Sequence, residues 1–306
     1  MYDLIIVGAG SAGLTSAIYA GRKQLKTLLV TGPNVGGETN STNDIQNYPG
    51  YAGPGPELMV KFQEQAKKWG AEFLTSSVKK IVKEANFILE LEDGTTKEAK
   101  AVILCYGRIR RKLNIPGEEE YFGRGVSTCP TCDAPFYKNK TAAVIGGGNS
   151  AVEGALELAG IADKVYLIHR RQEFRADEVT VQRARDNPKI ELVLDSVLTA
   201  IKGNQFVESV TTKNVTNDET REIKLDGVFL EIGWITDTSI VEGLVEKNNF
   251  GEIMVDQLCR TKTPGLFACG DLTNIPYKQT VISAGMGATA TLEAYKFIAG
   301  NGNNTK

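Results

Sequence analysis

Apolar positions along the chain follow two designs. Short runs that are almost wholly apolar, at residues 4–7, 27–30, 101–105, 142–145, 165–168, 229–233 and 265–269, predict buried strands of parallel sheets covered on both faces. Apolar positions at helical intervals follow several of them: Leu14, Ala17, Ile18 and Ala20, then residues 57–69, 152–158 and 281–299. Residues 73–82 and 87–91 also read as strands, and Asp93-Gly94 as a hairpin turn. Leu113-Asn114-Ile115-Pro116-Gly117 interrupts the alternation and reads as a linker, and Thr236-Asp237-Thr238 leads toward a second one. Strand and helix in alternation predict an α/β protein with parallel sheets. The glycine- and asparagine-rich tail after residue 300 is expected to be disordered.

The first strand runs into Gly8-Ala9-Gly10-Ser11-Ala12-Gly13 and then a helix. In that context the glycines form a dinucleotide fingerprint. Gly8 makes the turn, Gly10 lets backbone approach a pyrophosphate, and Gly13 lets helix and strand pack closely. Ser11 opens the helix whose amides would meet the phosphates. The design recurs at Gly146-Gly147-Gly148-Asn149-Ser150-Ala151, again between a buried strand and a helix. The position that reads the adenosine ribose is kept in register: Thr31 in the first copy, His169 in the second. Thr31 is neutral where an acid would hold a ribose. His169 begins His169-Arg170-Arg171, with Arg175 a turn further on, and guanidinium groups there favour a 2′-phosphate, hence NADPH over NADH. His169 as a general base fits this phosphate-binding run poorly.

Other stretches offer backbone or polar groups to a large ligand: Gly36-Gly37-Glu38, Asn47-Tyr48-Pro49-Gly50, and Asp271 at the end of a buried strand. Gln279 and Thr280 enter the last helix, whose amide dipoles would stabilise negative charge on a reduced flavin ring.

Between the two fingerprints stands Cys129-Pro130-Thr131-Cys132-Asp133. Two cysteines at this spacing can close a small ring that adds little stability, and the spacing lowers thiol pKa. Asp133 could hold a proton for a departing thiolate. The alternatives are half a zinc site or incidental thiols. A structural zinc needs four ligands, and the chain has one such cysteine pair and one histidine, so no metal is expected.

Composition narrows the setting. There are 35 Lys and Arg against 37 Asp and Glu among 306 residues, with no basic face to suggest nucleic acid. No leader pattern precedes the first strand, and no apolar run approaches the roughly 20 residues of a membrane span. Cys105, Cys259 and Cys269 lie inside apolar segments, as expected in a reducing cytoplasm.

In this order and spacing the motifs resemble the low-molecular-weight thioredoxin reductases over nearly the whole chain. The resemblance is carried by residues 8–13, Gly36-Gly37, residues 47–50, Cys129 to Asp133, residues 146–151, the His169/Arg170/Arg171/Arg175 set, Gly270-Asp271 and Gln279. It implies a homodimer of two Rossmann-like domains, the second inserted into the first. Residues 1–112 and 246–306 would bind FAD, and residues 113–245 would bind NADPH and carry the cysteine pair. FAD would meet Gly8, Gly10, Ser11, Gly13, Thr31, Gly36, Gly37, Asn47, Asp271, Gln279 and Thr280. NADPH would meet Gly146, Gly148, Asn149, Ser150, His169, Arg170, Arg171 and Arg175. Electrons would pass from NADPH through FAD to Cys129–Cys132, with Cys132 nearer the flavin and Asp133 handling the proton, and on to thioredoxin or a thioredoxin-like protein. The sequence departs from the family at Glu38, Cys105-Tyr106, Pro130, Ala134-Pro135 and Asn149. Two other readings stay open: the same electron path with a glutaredoxin-like or peroxiredoxin-type acceptor, and a flavin redox sensor that does not turn over.

Overall fold

A computed structural model describes residues 1–33, 35–42 and 45–300. The tail expected to be disordered lies outside them. The chain divides into two compact units: Met1–Ile109 with Ile235–Lys306, and Arg110–Trp234 between them. The second boundary thus falls before the expected residue 245. Val241 and Val245 are the reason, since both are buried in the core of the first unit.

In the first unit, strands lie in the order Glu72–Leu74, Thr27–Val30, Tyr2–Val7, Thr96–Leu104, Phe87–Leu91, Val78–Lys83. Tyr2–Val7 is parallel to both its neighbours. The last part of Thr96–Leu104 also pairs in parallel with Leu266–Ala268, so the two separated chain segments share one sheet. Alternation in the central strand explains its unbroken apolar run. Leu4 and Ile6 enter the core beneath helices Ser11–Arg22, Gly55–Lys68 and Thr280–Ile298, while Ile5 and Val7 enter the core on the other face.

Residues 73–82, read as one strand, are two, because Ser76 and Ser77 carbonyls turn to accept Gly32 N (3.1 Å) and Glu92 N (3.0 Å). The Asp93-Gly94 turn is present, its Gly94 at φ +78°, with Thr95 N donating to Asp93 Oδ1 at 2.9 Å.

The inserted unit has a five-stranded parallel sheet: Val126–Ser127, Gly227–Leu230, Thr141–Ile145, Lys164–Ile168, Ile190–Val193. Ala142 and Val144 face helices Asn149–Ala159 and Glu178–Arg185. Ala143 and Ile145 face an antiparallel sheet of Ser196–Gly203, Val207–Asn214 and Thr220–Lys224. Where the first linker was expected, the buried carboxylate of Glu118 (1 % exposed) accepts Leu113 N at 3.2 Å, Asn114 N at 2.7 Å and Arg110 Nη1 at 3.1 Å.

Candidate active site

The two glycine loops are built alike. Gly8 (φ +102°) and Gly146 (φ +156°) turn the chain where a side chain would be strained. A β-carbon on Gly8 would meet the Cys105 carbonyl carbon at 2.6 Å, and one on Gly13 would meet Gly8 O at 1.9 Å. Above Gly10 and Gly148, by contrast, a β-carbon would meet nothing within 4 Å. Each of these two residues is the extended N-cap of a helix that no side chain caps, so amides and open space coincide there. This is the fit that two pyrophosphates require.

Around the first loop, Gly36 N donates to Ala9 O at 2.8 Å, and a β-carbon on Gly37 would lie 3.3 Å from Gly10 Cα. Thr39 and Thr280 hydroxyls are 3.1 Å apart, and Asn47 Nδ2 donates to Gln279 Oε1 at 3.2 Å. These contacts gather Gly36, Gly37, Asn47, Gln279 and Thr280 at the start of the long helix Thr280–Ile298, which has no side-chain N-cap. Asp271 Oδ1 accepts Ser283 Oγ at 3.0 Å on that same helix. Thr31 is buried and its hydroxyl donates to Gly32 O at 2.8 Å, so its side chain serves the turn. The sequence reading missed Lys278 and Glu252, whose charged atoms are 3.0 Å apart beside the helix start. Burial lowers the Lys278 pKa, and Glu252 opposes that shift.

In the second loop, Arg170, Arg171 and Arg175 are exposed and, among the described residues, form no ion pair. Arg175 is held in place by its own N–H, which donates to Gly147 O at 2.7 Å. Asn149 Oδ1 accepts Asp177 N at 2.8 Å, tying the helix start to the same segment. Ser150 is exposed at that helix start. His169, expected among the NADPH contacts, also has a packing role. It is 9 % exposed, stacks on Phe174 with centroids 5.2 Å apart, and has Nε2 3.1 Å from Glu173 O. Burial lowers its pKa, the three arginines add to that, and the Glu173 carbonyl works against it. A β-carbon on Gly147 would lie 2.1 Å from the ring. His169 is thus a strut beneath the loop, and Gly147, which the sequence reading passed over, is glycine to admit it.

Cys129 and Cys132 form a disulfide with Cα atoms 5.3 Å apart, at the short helix Pro130–Asp133. Proline at the first helical position fixes the turn without losing a needed N–H. Cys132 N donates to Cys129 Sγ at 3.2 Å. Ser127 Oγ donates to Asp133 Oδ2 at 2.5 Å and accepts Cys129 N at 3.1 Å. Burial raises the Asp133 pKa, and the Ser127 hydrogen bond only partly offsets it. Pro130 is buried against Gly154, in the helix that begins at the second glycine loop. The nucleotide loop and the redox turn therefore share one helix.

Two open glycine loops, an unpaired arginine set and a disulfide beside a half-buried carboxyl define a nucleotide-dependent disulfide chemistry. The chain belongs to the pyridine nucleotide-disulphide oxidoreductase family, whose model matches residues 2–289. A thioredoxin reductase of Helicobacter pylori is 39% identical over 308 residues, covering 97% of this chain and 99% of that protein. A Bacillus subtilis protein named NADH dehydrogenase is 39% identical over 302 residues, which are 98% of this chain but 59% of that protein. This chain spans 59%, 66% and 58% of the length of three curated relatives, two named NADH dehydrogenase and one named bifunctional thioredoxin reductase/thioredoxin. The crystal structure of thioredoxin reductase from Streptococcus pyogenes MGAS5005 matches with a TM-score of 0.94 at 38% identity, covering 98% of this chain and 99% of that one. The fold is accordingly two Rossmann-like domains. Among the described residues, no helix is long and apolar enough to cross a membrane.

Proposed function

We propose that this protein is an NADPH-dependent flavoprotein that reduces the disulfide of thioredoxin or a thioredoxin-like protein through Cys129 and Cys132. The observation that carries the reading is the Cys129–Cys132 disulfide, with its half-buried Asp133, docked on the helix that starts at the second glycine loop. FAD would be held at Gly10, Gly37 and the start of helix Thr280–Ile298, and NADPH at Gly148, Ser150 and the three arginines. When bound, these groups supply hydride transfer from nicotinamide to flavin and two electrons to a disulfide.

The chain's own residues do the rest. Opening the ring leaves negative charge on sulfur, and the Cys132 amide already directed at Cys129 Sγ stabilises a thiolate there. Asp133, its pKa raised by burial, can hold the proton that the second thiol needs and return it later. The resulting dithiol attacks an acceptor disulfide by exchange, and the ring closes again as the acceptor leaves reduced. We read the enzyme as a cytoplasmic homodimer, as its resemblance to the thioredoxin reductases implies.

NADPH consumption by the pure protein with a panel of disulfide proteins, followed beside stopped-flow bleaching of flavin absorbance, tests this. Cys132→Ser should keep fast bleaching and lose turnover with the acceptor. Wild-type turnover in Cys132→Ser would overturn the reading.

A further inference from the structure

Two thiols outside the redox pair lie side by side in the first unit. Strand register brings them there. Ala268 pairs with Leu104 in parallel, and Cys269 N donates to Leu104 O at 3.0 Å, so Cys105 and Cys269 stand next to each other just past the two strand ends. Both side chains enter the core beneath helix Ser11–Arg22. Their sulfurs are 3.3 Å apart, with Cys105 5 % and Cys269 0 % exposed. The pair also backs the first glycine loop, since a β-carbon on Gly13 would lie 3.3 Å from Cys105 Cβ. The proposed reaction uses neither thiol.

We propose that Cys105 and Cys269 are a peroxide-oxidisable pair whose disulfide, separate from Cys129–Cys132, clamps the two chain segments of the first unit together. The geometry needs only a small closing movement to reach a bonded S–S distance of about 2.05 Å. Contact at the outset makes the second step effectively unimolecular. Hydrogen peroxide first oxidises one sulfur: its O–O bond breaks, a sulfenic acid forms on Cys105, the less buried thiol, and one water leaves. The Cys269 sulfur then attacks that of Cys105, the S–O bond breaks, and a second water carries off the remaining oxygen with the Cys269 proton. Two thiols and one peroxide give one disulfide and two waters. The hydrogen bond with the Cys105 thiol and then burial hold the Cys269 pKa well up, so the pair stays reduced without an oxidant and reacts slowly with one.

The consequence lies in the chain path. Cys105 and Cys269 are 164 positions apart, and the whole inserted unit lies between them. A bond here closes a long loop and removes many extended states from the unfolded chain. Cys259, whose thiol bonds Met286 O at 3.6 Å and whose pKa burial pushes up to about 12, is an internal reference.

The experiment uses full-length, FAD-loaded protein, reduced, freed of reductant and titrated with hydrogen peroxide. Thiols are alkylated after denaturation and the digest is mapped by mass spectrometry. The expected product is a Cys105–Cys269 linked peptide short by the mass of two hydrogens, with Cys259 still alkylated. The melting temperature of the oxidised wild type should rise by several degrees, and that of peroxide-treated Cys269→Ser should not. Both thiols still alkylated after the Cys129–Cys132 pair is fully oxidised would overturn the proposal. So would separate oxidation to sulfinic acids, or a link to Cys259. A linked peptide with no melting shift would overturn the clamp. Because the mapping is done on wild type, a poorly folding variant does not blunt the test.

Discussion

A β-carbon on Gly154 would sit 2.7 Å from Cγ of Pro130. Glycine inside a helix costs about 1 kcal/mol relative to alanine, so residue 154 gives up helix stability to let the redox turn lie flat on it. Gly154→Ala should regain part of that helical stability while displacing Pro130 and the cysteines that flank it. Misplacement of about 1 Å at a reacting group lowers rates by the order of 10²-fold. Turnover with a protein disulfide should fall by about that much, while NADPH-driven reduction of a small dye that takes electrons directly from flavin stays near wild type. Equal loss of both activities would show that Gly154 serves only the fold.

Asp133 is the group whose removal should separate stability from activity. Its folded pKa is raised above the unfolded value, mainly by burial. Stability from such a carboxyl is fully present below the unfolded pKa of about 3.9 and is lost as pH rises through the folded pKa. Above the folded pKa the half-buried carboxylate therefore costs stability, and there Asp133→Asn should unfold at the same or higher denaturant concentration than wild type. Turnover should drop by roughly 10²–10⁴-fold, as expected for the loss of a general acid–base group. Denaturant titration and steady-state rates at matched pH check both halves.

Arg170 and Arg171 are expected to set cofactor preference. Replacing both with alanine should weaken NADPH by about ten- to several-hundredfold in kcat/KM and leave NADH nearly unaffected. Rates with the two nucleotides, measured in wild type and double variant, give the comparison directly. Equal use of both by the wild type is the result that would count against the assignment.

Gly147 and His169 make a prediction of a different kind, because neither is expected to touch the reacting atoms. Gly147→Ala should expel the ring from beneath the loop and raise the KM for NADPH by about tenfold or more, with kcat little changed. The pH response follows from the depressed His169 pKa. A histidine with a lowered folded pKa stabilises the protein above its unfolded pKa of about 6.5, and that contribution is lost as pH falls toward the folded value. Stability of wild type should decline below pH 6.5 more steeply than that of His169→Gln.

Features that reside in contiguous residues were legible without the structure. Both glycine loops, the position shared by Thr31 and His169, the cysteine pair and the Asp93-Gly94 turn each lie within a few neighbouring residues. What escaped depends on partners distant in sequence. Gly147 answers to His169, Gly154 to Pro130, and Cys105 to Cys269. The antiparallel sheet at Ser196–Gly203 and its neighbours was not read. Those strands alternate buried apolar residues with Thr and Lys, and a register shift between Leu198 and Ala200 breaks the period. The later domain boundary was misplaced for a related reason: apolar Val241 and Val245 give no local sign of which core receives them.

The shared sheet has a consequence for how the chain is made. Strand Thr96–Leu104 leaves the ribosome long before Leu266–Ala268, its parallel neighbour. At roughly 5–20 residues per second, translation supplies the missing strand on the order of ten to thirty seconds later. The inserted unit, Arg110–Trp234, has its whole sequence available first and can close its core while the earlier-born domain still waits. Until then Val102 and Leu104 sit beside an unfilled hydrogen-bonding edge, the kind of surface that recruits other strands. The part of the protein translated first is therefore the part finished last, and it is the part a nascent-chain chaperone has reason to hold.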